Sequence, residues 1–505
     1  MAAPEIAGRT GSKRDVLLAI ATAICAVTLG GCVVGPNYSR PNVQAPSAWK
    51  EQPPDGWKAA APHDEISKGD WWVVFNDAEL NDLETQAIAA NQNLQVAEQR
   101  VIEARADALA ERSNLFPTVS GGFSPGRART SGTRPLAPGS SALAFTANTF
   151  TLPIQASYEV DLWGQIRRSV ESANALTQRS VADYENILLQ LKSDVASFYI
   201  MARYIDQELV ILHNNIDLQQ RALDLANVRH QGGVASGLDA SAASTLLNTT
   251  QATYIGLGVQ RGQFEHALAV LLGRPPAEFS LPDKPLHLAA PALPAGLPSD
   301  LLERRPDVAA AERLMASNNA QIGVNRAAYF PIVTLSFAAG GLSRFLGELL
   351  DAPSLVWSAT ADATQPIYTG GRLSANLLRA RASYAESVAS YRQTVLTAFQ
   401  EVEDGLSTLR VLEQQAAAYD QAIRSAQETV DISTSRYREG LANYLEVITA
   451  EEELLTNQRV ADQILEQRLL TTIQLIQALG GGWQDSKIYT TAVPVPRQGA
   501  ALPPH

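Results

Sequence analysis

The sequence is poor in the residue types that bind metals and carry redox chemistry. Its 505 residues include two Cys, three Met and six His. The histidines do not show the HExxH spacing of a zinc site, and three scattered methionines do not indicate a soft-metal relay. The sequence therefore predicts neither an enzyme nor a bound metal or cofactor.

Positive charge is also scarce, since 40 Lys and Arg stand against 52 Asp and Glu, which gives a net charge of −12. Nucleic acids are bound through clustered basic side chains that release counterions from the phosphates. The acidic balance argues against a nucleic-acid partner.

Proline is absent between Gly371 and Gly482, where apolar or small side chains recur with the period of a helix face. We expect one helix from Arg372 to about Arg438, roughly 100 Å long at ~1.5 Å per residue. Glycine supplies the positive φ that ends helices, so the chain should turn at Glu439-Gly440. A second helix is expected to return from about Asn443 to Leu479.

The same design occurs 207 residues earlier, which is the separation of Arg229 from Arg436. That single offset also pairs Gly233 with Gly440 and continues without a gap to Gly273 and Gly480. A gapless match at charged, amide and glycine positions indicates an internal duplication. The first helix pair is therefore expected at about Gln165 to His230 and Leu238 to Leu272.

The N-terminus has the pattern of a secretory signal. Lys13 and Arg14 precede the apolar run from Val16 to Leu29, and small residues follow. The segment from Leu29 to Cys32 resembles a bacterial lipobox, which implies cleavage before Cys32 and a diacylglyceryl and palmitoyl lipid on that cysteine. The alternative is a plain signal peptide with an incidental cysteine.

Two features follow from that processing. Position 33 is Val, so the aspartate that retains many Gram-negative lipoproteins at the inner membrane is absent, and delivery to the outer membrane is expected. Cys25 would be removed with the signal, which leaves the mature chain without an internal disulfide.

Amphipathic strands form the second kind of element. Thr149 to Val160 alternates apolar and polar side chains, and Thr118 to Ser124 is a weaker partner across a Gly/Pro/Ser/Arg-rich loop at about Pro125 to Asn148. The second copy alternates at Val333 to Phe337 and at Leu355 to Thr364. Four strands form either half of a soluble sandwich or part of an outer-membrane barrel. Because a bilayer strand must be fully paired, the barrel requires oligomerisation, and spacing leaves two, three or four copies open.

Shorter elements and linkers complete the chain. Helical segments are expected from Trp71, with Asn76 or Asp77 as a cap before Leu80, and at about Asn93 to Ser113. The resulting organisation is a signal peptide (1–31), an anchored extended segment (32–70), a first repeat (71–272), a Pro-rich linker (273–298), a second repeat (299–482) and a tail (483–505).

Four motifs resemble the signatures of outer-membrane efflux lipoproteins of the TolC superfamily, which include OprM-like and NodT-type proteins. They lie at Cys32 to Tyr38, Tyr158 to Gly164, Gly296 to Asp307 and Ala478 to Trp483. The resemblance implies an α+β membrane protein that forms a homotrimer. Twelve strands would form one β-barrel in outer-membrane lipid, and the long helices would form a periplasmic α-barrel.

The resemblance also implies site residues. The helix tips would dock a periplasmic adaptor through Arg229, Gly233, Val234, Arg436, Gly440 and Leu441. Alternatively, the two glycines serve only as helix caps. In the family, a leucine and often an aspartate four residues later narrow the channel. Leu445 matches the leucine, but Thr449 stands at the acidic position.

Glutamates near Leu445 offer a second way to build a constriction. Glu446, Glu451, Glu452 and Glu453 could form rings facing a narrow lumen, with Glu446 and Glu452 as the candidates we carry forward. The alternative for each glutamate is a solvated helix face.

The resulting functional prediction is a passive outer-membrane exit channel of a tripartite, RND-type efflux system, conducting drugs or other small toxic compounds. It would act with the periplasmic adaptor and an inner-membrane pump. The alternatives are the outer-membrane channel of a type I protein-secretion system and, in another class, a structural envelope lipoprotein. The sequence does not identify the substrate.

Overall fold

A computed structural model describes residues 33–41, 46, 48–51, 70–133, 144–286, 288, 291 and 305–481. The chain divides into two compact units. The first comprises Met1–Pro41, Ile102–Thr177 and Glu312–Ala389, and the second comprises Asn42–Val101, Gln178–Ala311 and Ser390–His505. The predicted signal peptide, Cys32, the segment from Gly296 to Arg304 and the C-terminal tail lie outside the described residues.

Seven α-helices occur in the described part of the chain. They are α1 (Ala78–Ala90), α2 (Gln92–Ser113), α3 (Gln165–Gln231), α4 (Gly237–Leu271), α5 (Pro306–Ala327), α6 (Arg372–Arg438) and α7 (Tyr444–Ala478). A 3₁₀ helix at Trp71–Phe75 precedes α1, and Asp77 caps α1 by accepting hydrogen bonds from the amides of Glu79 and Leu80.

The four long helices confirm the expectation from periodicity and proline content. α3 and α6 each contain 67 residues, and α4 and α7 each contain 35. The predicted ends lie within one residue of the observed ones. α5 was not predicted separately, although it repeats α2 at the offset of 214 residues that also relates Phe116-Pro117 to Phe330-Pro331.

One antiparallel sheet lies in the first unit. It contains β1 (Thr118–Gly121), β2 (Ser124–Thr130), β3 (Phe145–Val160), β4 (Ile332–Ser343) and β5 (Leu355–Thr364) in the order β1-β3-β4-β5, with β2 also paired to β3. β1 and β2 keep one register against β3, so together they act as a single interrupted edge strand. Within the described residues, β5 forms the opposite edge and pairs only with β4.

The predicted loop from Pro125 to Asn148 is wrong at both ends. β2 continues to Thr130, and β3 begins at Phe145. The composition of this segment concealed the strand, because Pro125 and Gly126 are poor strand formers in a sheet interior. Both residues are tolerated here because β2 is an edge strand whose backbone pairs with β3 on one side.

The predicted alternation places one apolar face across the sheet. Tyr158 lies opposite Leu335, Ala156 opposite Phe337, and Ala339 opposite Trp357. The side chains of Leu335, Phe337 and Trp357 are exposed in the single chain. The other face carries polar residues such as Gln155, Thr334 and Asp362. The sheet thus presents a broad uncovered apolar surface.

Two motifs from the sequence meet beside this sheet, in the first unit. The ring of Trp163 stacks on Phe330 at 4.6 Å, and its indole nitrogen donates to the Pro331 carbonyl. The amide of Val34 donates to the Trp163 carbonyl. Gly35 adopts a φ of +108° where an added Cβ would lie 2.6 Å from the Gly323 Cα. Only glycine fits this close approach, which seats the segment that follows Cys32.

The second unit contains the largest apolar core of the described chain. Trp71, Leu80, Tyr199, Leu268 and Ile473 are almost fully buried there, so the 3₁₀ helix and α1 pack with α3, α4 and α7. Among the described residues, no helix has both the length and the apolar character to cross a bilayer.

Candidate functional site

The two long helix pairs end in turns of the same geometry. Gly233 and Gly440 have φ values of +70° and +78°. In each turn the next residue closes the helix, because the amide of Val234 donates to the Arg229 carbonyl and that of Leu441 donates to the Arg436 carbonyl. Both glycines therefore act as helix C-caps.

The turns also expose apolar side chains. Val234 is 68% exposed and Leu441 is 67% exposed. The following helices begin with side-chain caps: Ser236 accepts from the amide of Leu238, and Asn443 accepts from that of Glu446. Each tip is thus a firmly capped turn carrying an apolar residue in solvent, which is chemically suited to contact another protein.

Arg229 joins one tip to the other. Its guanidinium lies 4.6 Å from the ring centroid of Tyr437. It donates to the Tyr437 carbonyl at 2.9 Å and to the Arg438 carbonyl at 3.2 Å. These oxygens belong to the C-terminal end of α6, where a cation is favourable. The guanidinium of Arg229 is therefore bound to the end of α6 within the same chain.

The predicted constriction residues lie on the exposed side of α7. Leu445, Thr449 and Glu452 follow one another at intervals of four and three residues and share one helix face. The Thr449 hydroxyl donates to the Leu445 carbonyl, so it is satisfied within the helix. Glu446 is exposed beside this face and lies 3.5 Å from Arg436.

Glu451 lies on the opposite side of α7, so both interpretations offered for this residue are wrong. It is 2% exposed and lies on the buried face of the helix, together with Tyr444, Val447 and Leu454. Within the described structure, its Oε2 has no hydrogen-bond partner. Burial raises the pKa of Glu451 to about 7. The position belongs to the apolar period of the helix, which the acidic run from 451 to 453 obscured.

The motif that ends at Asp307 has a structural role in the second unit. Arg305 pairs with Asp307 at 2.7 Å and with Glu401 of α6 at 2.6 Å, and it donates to the Ala478 carbonyl at the end of α7. The charge-assisted contacts fix the start of α5 against both long helices of the second repeat.

Comparison with known proteins identifies the family of the chain. The family model described as outer membrane efflux protein matches residues 83–274 and 297–481. The chain belongs to this family. The antibiotic efflux pump outer membrane protein ArpC of Pseudomonas putida is 31% identical over 472 residues, which cover 92% of this chain and 96% of ArpC.

Two further relatives extend the match. The pyoverdine export outer membrane protein OpmQ of Pseudomonas aeruginosa is 31% identical over 466 residues, which cover 91% of this chain and 96% of OpmQ. The solved structure of the outer-membrane channel OprN superposes with a TM-score of 0.82 at 29% identity, covering 90% of this chain and all of the OprN chain.

Family membership confirms several predictions. The resemblance, the fold class of long antiparallel helices with amphipathic strands, the efflux role and the outer-membrane location are all correct. The roles assigned to the tip and constriction residues stay predictions. The lipid on Cys32 also stays a prediction, since that residue lies outside the described part of the chain.

Sequence reasoning missed two aromatic residues of the efflux protein's tips. Tyr437 and Tyr444 are both 2% exposed, and their rings lie 5.1 Å apart. The offset of 207 residues pairs them with His230 and Gly237, so the aromatic pair is specific to the second repeat. That departure from the repeat was a usable signal.

Proposed function

We propose that three copies of this chain form one export channel whose sheets close into a twelve-stranded outer-membrane barrel, with β1 and β2 counted as one strand. One observation supports closure above all. The sheet has an exposed apolar face, and within the described residues its edge strands have no second partner. In a bilayer every backbone donor and acceptor must be paired, which an open sheet cannot achieve.

The long helices then extend into the periplasm, where the tips dock an adaptor. Val234 and Leu441 supply apolar contacts, and the engaged Arg229 keeps the two tips in register. An inner-membrane pump supplies the energy, and this chain performs no catalysis. A lipid on Cys32 adds a second attachment to the membrane.

The constriction lies just beyond the tips on α7. In three copies, Leu445 and Thr449 form stacked rings and the exposed Glu446 and Glu452 add negative charge nearby. Carboxylate rings in a narrow lumen favour cations over anions. The cargo is a small toxic compound such as an antibiotic, the class of compound that appears in the name of ArpC.

The export role is tested by dye and antibiotic accumulation in cells that lack this gene. Wild-type protein should restore low accumulation. Gly440→Pro should not, because φ is +78° and the amide of Gly440 donates to the Tyr437 carbonyl. Gly440→Asn is the matched control, since asparagine tolerates this left-handed conformation. Unchanged accumulation on deletion would contradict the proposal for the compounds tested.

A test of adaptor docking requires a variant that keeps the C-terminal cap of α6 intact. Leu441→Asp changes an exposed side chain without touching the backbone hydrogen bond that closes α6. It should reduce co-purification with the cross-linked adaptor while leaving the amount of trimer unchanged. Normal co-purification of Leu441→Asp combined with Val234→Asp would show that the adaptor binds elsewhere.

A further inference from the structure

A groove in the second unit lies well above the tips, between α3, α6 and α7. Its volume is about 670 Å³, within the range of pockets that hold drug-sized molecules. Isoleucine and leucine side chains from the three helices line it. Five side-chain amides also line it: Gln207, Asn214, Asn215, Gln427 and Gln458. The groove thus combines apolar walls with many neutral hydrogen-bonding groups.

Asp462 is the buried charge of this groove. The residue is 8% exposed, and in the described structure its Oδ2 has no hydrogen-bond partner. The nearest arginine on α7, Arg459, is paired with Glu208 instead of Asp462. Both its Nε and a terminal nitrogen lie 2.6 Å from Glu208 Oε1. A buried carboxylate that lacks a partner carries a large desolvation cost, which a bound cation would relieve.

The surrounding charges make the interior of the groove negative. Asp217 and Arg221 of α3 also line it, but both are exposed and of opposite sign, so they nearly cancel at the rim. Four further groups lie near Asp462 without lining the groove: Tyr204 and Glu208 on α3, and Glu466 and the Glu208-paired Arg459 on α7. The α6 residues of the lining, Ile423 and Gln427, are not ionisable.

The pKa of Asp462 agrees with this environment. Burial, with smaller contributions from the carboxylates of Glu208 and Glu466, raises the pKa of Asp462 to about 7. A proton therefore competes for the position that a cation would occupy. The described residues contain no group of three His, Cys, Asp or Glu side chains arranged for a metal ion. An organic cation fits the amide-rich and apolar lining better than a metal does.

We propose that the groove between α3, α6 and α7 binds a small organic cation, with the Asp462 carboxylate as its counter-charge and the side-chain amides as its hydrogen-bond partners. This inference goes beyond the export role and does not depend on it. Binding is a property of the purified protein, whether or not a pump is attached.

The test uses ethidium, a fluorescent organic cation, and the full-length protein in detergent. Fluorescence anisotropy should show saturable binding at pH 8. Asp462→Asn should weaken the affinity about tenfold or more, because it keeps the shape of the side chain and removes the charge. Glu466→Gln is the matched control: its carboxylate, like that of Asp462, has a pKa raised to about 7, but it does not line the groove. Because its charge acts on the groove only from outside the lining, Glu466→Gln should weaken ethidium binding by less than about threefold.

A pH series gives a second readout. The ionised fraction of Asp462 rises from about one tenth at pH 6 to about nine tenths at pH 8. The affinity of wild type should therefore rise about tenfold across that interval, while that of Asp462→Asn should stay flat. If Asp462→Asn fails to assemble, Ala461→Phe tests the same groove by filling it without changing its charge, and it should also weaken binding about tenfold.

Three results would overturn the proposal. The first is the absence of saturable binding to wild type. The second is equal affinity of wild type and Asp462→Asn, or of wild type and Ala461→Phe if that variant is used. The third is an equal loss of affinity in Asp462→Asn and Glu466→Gln, which would show that ethidium responds to the acidity of the region and not to the groove.

Discussion

Replacing Arg229 with alanine should loosen the joint between the two helix tips. The side chain contributes one ring contact, at 4.6 Å from the Tyr437 centroid, and two hydrogen bonds to the end of α6. A cation over the face of a tyrosine ring stabilises by about 1 kcal/mol. Hydrogen bonds from a charged donor contribute about 1.5 kcal/mol each, less where water competes. The expected loss is therefore about 2 to 3 kcal/mol in the free energy of local opening.

Hydrogen exchange of the tip amides measures this quantity directly. The amides of Gly440 and Leu441 donate to the carbonyls of Tyr437 and Arg436, so they exchange only when the end of α6 opens. Since about 1.4 kcal/mol corresponds to a factor of ten, Arg229→Ala should speed their exchange by about thirty- to a hundredfold.

Arg436→Ala is the matched control, because Arg436 is the counterpart of Arg229 in the second repeat. Its contact with Glu446 is an exposed pair at 3.5 Å, worth less than about 1 kcal/mol. Exchange in that variant should rise less than about fivefold. Equal exchange rates in Arg229→Ala and Arg436→Ala would refute the assignment of Arg229 as the link between the tips.

Three further changes test other parts of the molecule. Because the pKa of Glu451 is raised from 4.5 to about 7 in the folded state, ionisation destabilises the fold progressively above about pH 4.5 and fully above about pH 7. Glu451→Gln should therefore raise the thermal midpoint at pH 8, by removing a cost on the order of 2 kcal/mol, and leave it unchanged at pH 4. Gly35→Ala should cost more than about 2 kcal/mol in thermal unfolding, because it forces a Cβ against the backbone of Gly323 at a φ of +108°. Trp357→Arg should reduce the protein recovered in outer-membrane fractions, since arginine costs about 2 to 4 kcal/mol on a lipid-facing strand, whereas Ser358→Arg on the other face should not.

The sequence predicted the elements whose signal is long or repeated. The 67-residue helix α6 was located to within one residue because an uninterrupted period runs up to a turn glycine, and the offset of 207 residues then located α3, also of 67 residues, to within one residue. Family signatures between Cys32 and Trp483 then supplied the class of protein. β2 was missed because its pairing with β3, and not its composition, makes it a strand.

Site residues were harder to predict because sequence gives position along a helix but not the depth of each face. Glu451 follows the apolar period of α7 and is buried, whereas Glu452 and Glu453 are exposed. Asp462 carries no distinguishing motif, and its importance appears once α3 brings Glu208 close to it. In both cases the neighbouring helix decides the chemistry of the carboxylate.

The differences between the two repeats are as informative as the duplication. Both tips keep the glycine cap, so the backbone of the turn is common to the two copies. The arginines that precede those glycines have diverged: Arg229 packs on Tyr437 and binds the end of α6, while Arg436 stays in solvent beside Glu446. A duplicated hairpin supplies the fold, but two identical tips would have no fixed relation to each other. The aromatic residue found in one copy allows an arginine from the other copy to set their register, so the divergence joins the ends of two hairpins through one side chain.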